Sequence, residues 1–358
     1  MALLNFSGFE TGTISEFLEG YGTPQISSLA DNGDVFCGNY SLTVSSIYGS
    51  GYGGFTMGEI SNGRQVLMNR NRVYSKFYCF FKKLPAISTE FFAVKDVDNY
   101  IKISLRVDQF GNLSIYGYST TDSISGGLVS GYTGIFEEAT WYRIEVNHVS
   151  NGTTEILING VSLGVTFVLS NNAYISRIMF GNIDDATPDT DYAFSIDDIE
   201  LANDAFPGSG NVVCLPPIGV GYYSQWHGEI QDVLEHSDGN AINALDGRKI
   251  SFLSYIKDAF AFELIKGIKV LAFCHTESGK TCQIKDFIRN NDTDYFINDY
   301  LEINDTDYFP ITNIYQTNPL DYQPWTREGL KKMEYGLLTS DNTTAAYCDY
   351  ISLQINYS

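Results

Sequence analysis

The sequence predicts an all-β protein made of two antiparallel β-sandwich domains in tandem. A chain of 358 residues is longer than one typical single-core domain, so two domains are expected. Tyrosine and phenylalanine are abundant, with 25 and 23 copies, whereas charged residues make up only 18% of the chain, a composition that favours strands over disorder. Apolar and polar residues also alternate with a period of two in many segments, which is typical of half-buried strands.

The first half of the chain is predicted to consist almost entirely of strands. The alternation is clearest in Lys76–Leu84, Asn99–Asp108, Asn112–Ser119, Trp141–Val149 and Thr153–Gly164. Turn residues separate these segments, among them the dipeptide Asn159–Gly160, which is typical of a tight hairpin. Many short strands with such turns predict a two-sheet sandwich with Greek-key connections.

A strand pair in this half resembles a known fold family. Trp141–Val146 followed by Glu155–Gly160 matches the pattern W-Y-x-(I/L)-x-(V/I) … (V/I)-x-(V/I)-N-G and resembles the concanavalin A-like, laminin-G-like jelly rolls. The resemblance implies that the first and last strands pair, bringing Phe6–Phe9 beside Phe194–Leu201. It leaves function open, because this fold hosts lectins, glucanases and inert spacers.

The boundary between the domains is predicted from a cluster of proline and glycine within Asn203–Gly219. We expect a jelly-roll domain over residues 1–204, a linker over 205–216 and a second β-sandwich over 217–358.

One short helix is predicted near residues 326–335. Thr326 can cap its first amides and Gly336 suits a left-handed stop position. Leu330, Met333 and Leu337 then fall on one face, which is expected to pack inward.

The same region resembles a structural module of tailed bacteriophages. Thr317–Asp341 is similar to a P-x-x-G-x-x-W-T … (N/K)-x-x-E-x-G helix near the C-terminus of many virion proteins, and Gly221–Gly228 and Glu235–Ile242 resemble segments further upstream in that module. The resemblance implies a multi-copy virion component (head decoration, tail or baseplate accessory, or fibre base) that binds other virion proteins. Such a protein is assembled in the cytoplasm of the host bacterium.

Charge and hydropathy exclude several partners. The formal net charge is −21, with 11 basic and 23 acidic residues up to Asp204 and 11 basic and 20 acidic residues after it. Two acidic halves repel phosphate backbones, so no nucleic-acid partner is expected. No targeting segment is visible at the N-terminus, and no run approaches the roughly 18 apolar residues of a membrane span, so membrane insertion is not expected.

No catalytic residues are predicted, and the protein is expected not to be an enzyme. The E-x-D-x-(x)-E strand of laminarinase-type glycosidases is missing. The nearest carboxylates, Asp197, Asp198 and Glu200, are expected to be solvated or to anchor a turn, with Asp198 and Glu200 on one face. None of the four histidines has nucleophile or metal-helix spacing.

Metal and thiol chemistry has few candidates. Asp184, Asp185, Asp189 and Asp191 share one loop and could gather calcium through oxygen ligands, and the alternative is a charged surface loop. No other cofactor is expected. The six cysteines are predicted to be reduced core thiols, although Cys274 and Cys282, with His275, could instead form a redox pair or a zinc site.

Two aromatic clusters are the candidate contact residues. Tyr48, Tyr52 and Phe55 lie in a glycine-rich segment of the first domain that is predicted to be a flexible loop with these rings at least half exposed, and Tyr222, Tyr223 and Trp226 lie in the second domain. Large rings stack on sugars and also anchor protein interfaces. A lectin-like protein that recognises a host surface glycan is therefore the alternative to a purely structural virion part.

A sequence repeat lies in the second domain. NDTDYF occurs at Asn291–Phe296 and again at Asn304–Phe309, and its Asx residues favour two turn-strand units rather than a metal site.

Overall fold

The computed structural model describes residues 2–358 except 23, 32, 46–52, 119–126, 151, 168–173, 183–191, 237, 258–261, 305 and 342–343. The chain divides into two compact units. The first comprises Met1–Glu59 and Val66–Ser209, and the second comprises Ile60–Gln65 and Gly210–Ser358. Both units consist of antiparallel sheets, so the predicted all-β class is confirmed.

The strands up to residue 202 are β1 Leu3–Ser7, β2 Glu19–Gly22, β3 Gln25–Ser28, β4 Tyr40–Ser45, β5 Gly53–Met57, β6 Glu59–Ser61, β7 Arg64–Val66, β8 Arg72–Lys83, β9 Thr89–Asp96, β10 Ile101–Val107, β11 Leu113–Gly117, β12 Gly127–Tyr132, β13 Trp141–Val149, β14 Thr153–Ile158, β15 Val161–Phe167, β16 Ile175–Asn182 and β17 Ala193–Ala202. They form two large sheets. Sheet A has the order β15-β14-β13-β8-β17-β4-β3, with β1 also paired to β17, and sheet B has the order β12-β11-β10-β9-β16-β5-β2.

Two predicted pairings of the first unit are confirmed. β1 pairs antiparallel with β17, so that Phe6 lies opposite Glu200, and the first and last strands of the unit are neighbours. β14 and β15 form a hairpin whose turn is Asn159–Gly160, with φ of 53° and 83°. A two-residue turn with positive φ at both central residues follows the twist of such a pair, and Asn and Gly adopt it at little cost.

The core between sheets A and B is rich in phenylalanine. Phe55 is fully buried there, with its ring 4.0 Å from Phe17 and 5.3 Å from Phe180. The prediction that Phe55 contacts a glycan or a subunit is therefore wrong. The glycine-rich composition suggested a loop, but residues 53–57 form β5, whose alternate side chains point into the core.

The second unit contains β18 Asn211–Leu215, β19 Pro217–Ser224, β20 Ile242–Ala244, β21 Lys249–Ser254, β22 Ile265–Thr276, β23 Cys282–Asn290, β24 Thr293–Tyr295, β25 Leu301–Ile303, β26 Phe309–Tyr315, β27 Glu334–Thr339 and β28 Ala346–Tyr357. Sheet C has the order β18-β28-β22-β26, with β20 paired to β28. Sheet D has the order β19-β21-β27-β23-β24, with β25 paired to β23.

The predicted linker is shorter than expected. Residues 211–215 belong to β18, which pairs with β28 from Asn211 opposite Tyr357 to Leu215 opposite Leu353. The proline and glycine residues therefore flank a strand rather than fill a continuous linker over 205–216.

The C-terminal helix is also shorter than predicted. Within the described residues, α1 Arg327–Lys331 is the one α-helix, and no helix has the length and apolar character of a membrane span. Its N-cap is as predicted, because the Gly329 amide donates to Thr326 Oγ1 over 3.0 Å. Leu330 and Met333 are buried as expected. Leu337 is buried too, but it belongs to strand β27 and not to the helix.

Gly336 does not stop the helix; it lies within β27, opposite Ser251 of β21 and Phe287 of β23. A Cβ atom at this position would lie 1.9 Å from the carbonyl oxygen of Ile250. The absence of a side chain therefore permits three strands to pair closely at the centre of sheet D.

A hairpin from the first half of the chain contributes to the second unit. β6 and β7 are joined by Asn62 and Gly63, both with positive φ. The Gly63 carbonyl accepts a 2.7 Å hydrogen bond from the Thr312 amide of β26.

A buried carboxyl group lies between sheets C and D. Asp286 of β23 accepts hydrogen bonds from the Asn313 side-chain amide and, over 3.3 Å, from the Tyr315 hydroxyl. Burial raises the pKa of Asp286 to about 6, although these hydrogen bonds act in the opposite direction.

We predict that Gly336→Ala destabilises the second unit by roughly 1–3 kcal/mol or more, because the new methyl group meets rigid backbone. Gly219→Ala is the matched control in the same sheet, since a Cβ there meets nothing within 4 Å, and it should change stability by less than about 0.5 kcal/mol. Denaturant unfolding followed by fluorescence in a Trp141→Phe background measures the second unit, where Trp226 and Trp325 are buried. Equal stability of the two variants would contradict the close approach.

A second prediction concerns pH. Because the pKa of Asp286 is raised on folding, its stabilising contribution is fully present below about pH 4 and is lost as pH rises through about 6. Asp286→Asn should therefore reduce the fall in unfolding free energy between pH 4 and 7.5 by about 2–3 kcal/mol. Glu302→Gln, which removes an exposed carboxylate of the same unit, should keep the wild-type pH dependence. If Asp286→Asn kept the wild-type pH dependence of the unfolding free energy, Asp286 would not be the group that titrates with a raised pKa.

Candidate functional site

Sheet D carries a surface of aromatic rings and cations, which we call the ring-and-cation surface. It is formed by Tyr222, Tyr223, Lys249, Lys285, Phe287, Arg289, Asp294, Phe296 and Tyr300, which come from β19, β21, β23 and the segment from β24 to β25. Tyr222 and Tyr223, both predicted as contact residues, meet edge to face with their ring centroids 5.0 Å apart. Tyr222 remains 68% exposed.

Each cation of this surface lies over one or more rings. The Arg289 guanidinium is 4.2 Å from the centroid of Tyr222. Lys285 Nζ is 4.2 Å from the ring centroids of both Phe296 and Tyr300. Contacts of this kind are attractive because the ring face is negative, and they hold flexible cationic side chains in one position.

Asp294 links three members of the surface. Its carboxylate accepts from the Tyr223 hydroxyl over 2.9 Å, from Lys249 Nζ over 2.5 Å and from Arg289 Nη1 over 3.0 Å. Burial favours the neutral acid, but these donors outweigh it and the pKa of Asp294 is lowered. The carboxylate therefore stays ionised and fixes the directions of two cations and one hydroxyl.

Glu334 positions the strand that carries the two tyrosines. Glu334 Oε2 accepts from the Tyr222 amide over 2.8 Å and from Ser251 Oγ over 2.5 Å. Ser251 Oγ accepts in turn from the Tyr223 amide over 3.0 Å. The register of β19 with β21 shifts between Val220 and Ser224, and these hydrogen bonds satisfy amides that the irregularity removes from the ladder.

The first copy of the NDTDYF repeat forms the turn between β23 and β24, as predicted. Asn291 and Asp292 have φ of 47° and 61°, and Asn290 pairs with Thr293 across the turn. The same repeat supplies Asp294 and Phe296 to the surface. Their role was missed because only the pairing of β24 with β23 places them beside Arg289.

A hollow of about 340 Å³ adjoins the surface and shares Phe296 with it. Its remaining lining residues are Tyr295, Ile297, Ile314, Tyr315, Gln316, Thr317, Pro319 and Tyr322. This volume lies at the lower end of the range of small-ligand pockets, and its lining combines rings with a few polar groups.

The other predicted contact residues do not belong to this surface. Trp226 is buried in the core of the second unit, and its indole N–H donates to the Arg248 carbonyl over 3.2 Å. The prediction that Trp226 contacts a partner is therefore wrong. Tyr48 and Tyr52 lie outside the described residues. The proposed calcium ligands Asp184, Asp185, Asp189 and Asp191 also lie outside them.

The carboxylates of β17 are buried, which corrects the prediction that they are solvated. Asp197 accepts from the amides of Phe36 and Cys37 over 3.0 and 3.2 Å and so anchors a neighbouring turn, as the alternative expected. A register irregularity separates Asp197 from Glu200. The two residues pair with alternate positions of β8 and therefore share a face, which the regular alternation did not predict.

Cysteines and metal ligands form no assembled site in the described part of the chain. All six cysteines are free, and Cys274 of sheet C lies opposite Cys348 rather than Cys282, which begins β23 of sheet D. Among the described residues, no group of three or more His, Cys, Asp or Glu side chains is arranged to hold a metal ion.

Comparisons with known proteins identify no family. No protein-family model matches the chain, and no curated protein matches it. Among solved structures, the cellulose-induced protein Cip1 has 15% identity and a TM-score of 0.38, covering 58% of this chain and 94% of that one. Domain 4 of AbnA, a GH43 extracellular arabinanase from Geobacillus stearothermophilus in complex with arabinotriose, has 17% identity and a TM-score of 0.35, covering 57% and 94%. The Caenorhabditis elegans galectin LEC-6 has 10% identity and a TM-score of 0.30, covering 42% and 90%. No inference about this chain follows from likenesses at this level.

Proposed function

We propose that the protein is a non-catalytic recognition protein that binds a neutral glycan through the ring-and-cation surface of its second unit. The observation that carries this proposal is the exposure of Tyr222. Arg289 lies over one face of its ring, yet 68% of the residue is exposed to solvent. An open ring face held rigidly in place offers a stacking platform for the C–H face of a sugar.

The polar groups of the surface suit sugar hydroxyls. Arg289 and Lys249 present N–H donors beside the rings, and the carboxylate of Asp294 is an acceptor. The formal charges balance, because the patch and its border hold three cations (Lys249, Lys285, Arg289) and three carboxylates (Asp292, Asp294, Glu334), of which Lys249 and Arg289 pair with Asp292 and Asp294. A balanced patch favours an uncharged ligand over a strongly anionic one.

Attachment to other proteins of a tailed-phage particle is the second candidate. It rests on the sequence resemblance and is favoured by one further observation. Ile218 and Val220 of the edge strand β19 are 60% and 42% exposed and precede Tyr222 on the same strand. An edge strand with exposed apolar side chains can pair with and pack against another chain. In this second function the protein is a multi-copy structural part of the virion.

The prediction that separates the two candidates uses Tyr222→Ala. We expect wild-type protein to bind at least one neutral oligosaccharide on a glycan array, and Tyr222→Ala to lower its affinity roughly tenfold, equal to about 1.4 kcal/mol. Isothermal titration calorimetry with the best array ligand measures the change.

Tyr255→Ala is the matched control, because Tyr255 is a comparably exposed tyrosine (58%) of the same unit outside the ring-and-cation surface. It should bind like wild type. Absence of any glycan ligand, or equal loss in both variants, would refute glycan binding by this surface. If no glycan binds and Tyr222→Ala also prevents incorporation into phage particles, the attachment function is supported instead.

A further inference from the structure

The hollow beside the ring-and-cation surface opens at the rim of the second unit, where the end strands of its two sheets finish. β24 is the last strand of sheet D, and β26 is the last strand of sheet C. Residues 295–297 and 314–317, from the ends of these strands, line the hollow together with Pro319 and Tyr322. Tyr322, Ile297 and Phe296 are 79%, 49% and 37% exposed, so the hollow is open to solvent.

Tyr322 lies at this hollow in a backbone conformation that tyrosine rarely adopts. Its φ is 58°, in the left-handed region that disfavours bulky residues. A closed loop holds this conformation, because the Tyr322 amide donates to the Asn318 carbonyl over 2.8 Å and the Asn318 amide donates to the Gln323 carbonyl over 2.9 Å. A strained residue that its surroundings hold in place is typical of binding sites, and here it presents an exposed ring.

The strand β26 has an open stretch of edge at Ile314, which also lines the hollow. The Thr312 amide points to this edge, away from β22, because it donates to the Gly63 carbonyl over 2.7 Å. Backbone groups of an antiparallel strand alternate in direction, so those of Ile314, two residues further on, point to the same edge. Within the described part of the chain, the Ile314 amide and carbonyl have no hydrogen-bond partner there.

This open stretch of edge is only one residue long. Pro310 faces the same edge but has no amide hydrogen, and the Thr312 amide is already bonded to the hairpin of β6 and β7. β26 ends at Tyr315. A peptide that adds a strand to a sheet needs several consecutive backbone groups, so this edge does not suit a peptide. A single amide group of a ligand can pair with the amide and carbonyl of Ile314.

The lining of the hollow suits a small neutral group with an apolar end. None of the described lining residues is charged, and most are aromatic or aliphatic. A volume of about 340 Å³ admits one sugar residue with its substituent rather than a longer chain. An acetamido group has the matching parts, because its methyl group is apolar and its N–H and C=O complement the acceptor and donor of Ile314.

We propose that the hollow binds the acetamido group of an N-acetylated sugar in the glycan that lies on the ring-and-cation surface. The amide of this group pairs with the Ile314 backbone, and its methyl group packs against Ile297 and the ring of Tyr322. The hollow and the surface share Phe296, so one oligosaccharide reaches both. The inference rests on the proposed glycan function and specifies the ligand class as a neutral oligosaccharide with an N-acetylhexosamine residue.

The test uses the full chain and four probes in isothermal titration calorimetry. Tri-N-acetylchitotriose and cellotriose share the same sugar backbone and differ in the acetamido groups. Triglucosamine carries amines instead, and a capped trialanine carries amides without a sugar. We expect tri-N-acetylchitotriose to bind roughly tenfold more tightly than each of the others, because only it places an amide and a methyl group on a sugar. Equal binding of cellotriose or triglucosamine would refute the role of the acetamido group, and equal binding of the trialanine would refute a saccharide ligand.

The variant Ile314→Pro removes the backbone donor without breaking the ladder, since this amide points away from β22 and Pro310 already occupies the same edge. It should weaken tri-N-acetylchitotriose to the level of cellotriose. Ile314→Ala is the matched control, because it shortens the side chain but keeps the amide, and it should weaken binding less than about threefold. Equal losses in the two variants would overturn the backbone contact. Thermal unfolding establishes that Ile314→Pro is folded, and Tyr322→Ala decides the question if it is not.

The variant Tyr322→Ala tests the hollow without altering a strand. It should weaken tri-N-acetylchitotriose roughly fivefold, leave cellotriose unchanged and melt like the wild type, because Tyr322 is 79% exposed. An unchanged affinity for tri-N-acetylchitotriose would overturn the proposal.

Tyr222→Ala separates this proposal from the glycan function on which it rests, because it should weaken both trisaccharides. If both sugars bind equally and depend on Tyr222 but not on Tyr322, the acetamido site is wrong and the glycan function stands. The same conclusion follows if other neutral glycans bind and tri-N-acetylchitotriose does not. If Tyr222→Ala weakens neither sugar, the function assigned to the ring-and-cation surface is wrong.

Discussion

The strict alternation of side chains along a paired strand is the constraint on which both units depend. A strand whose ladder is regular on both sides, such as β13 or β27, has no freedom to turn its residues, so each core side chain fixes an outward neighbour. Phe55 in the core determines that Thr56 faces outward, and Ile288 in the core determines that Arg289 and Phe287 do so. The candidate surfaces are consequences of core packing as much as of local sequence.

Local signals in the sequence predicted local structure well. Asn159–Gly160 forms the expected hairpin turn and Thr326 the expected N-cap, because each depends on a few adjacent residues. A glycine after a helical pattern is typical of a helix stop, but Gly336 lies within a strand. It pairs there with Ser251 and Phe287, which are about 85 and 50 residues away in the chain. Tertiary pairing overrode the helical pattern there, and a sequence window does not contain that pairing.

The candidate site was predicted only in part, for the same reason. Tyr222 and Tyr223 were found because two adjacent tyrosines are conspicuous in the sequence. Lys249, Arg289 and Phe296 were not, since each is an ordinary residue until the register of sheet D brings it beside those rings. Phe55 and Trp226 show the opposite error, because both were predicted as contact residues and both are buried in a core. Aromatic composition alone does not separate an exposed stacking platform from a core residue, and even the polar N–H of Trp226 is satisfied inside the core by one carbonyl acceptor.

The hairpin of β6 and β7 affects how this protein can be divided into fragments. The second unit is discontinuous in sequence, because residues 60–65 belong to it while the chain on either side belongs to the first unit. A gene fragment that begins at Gly210 would omit the carbonyl of Gly63, and the buried amide of Thr312 would lose its acceptor. Excision of the second unit at its apparent boundary therefore removes a hairpin that hydrogen-bonds to β26, the edge strand of sheet C. A circularly permuted or grafted version that restores this turn is the better starting point for studying the unit in isolation.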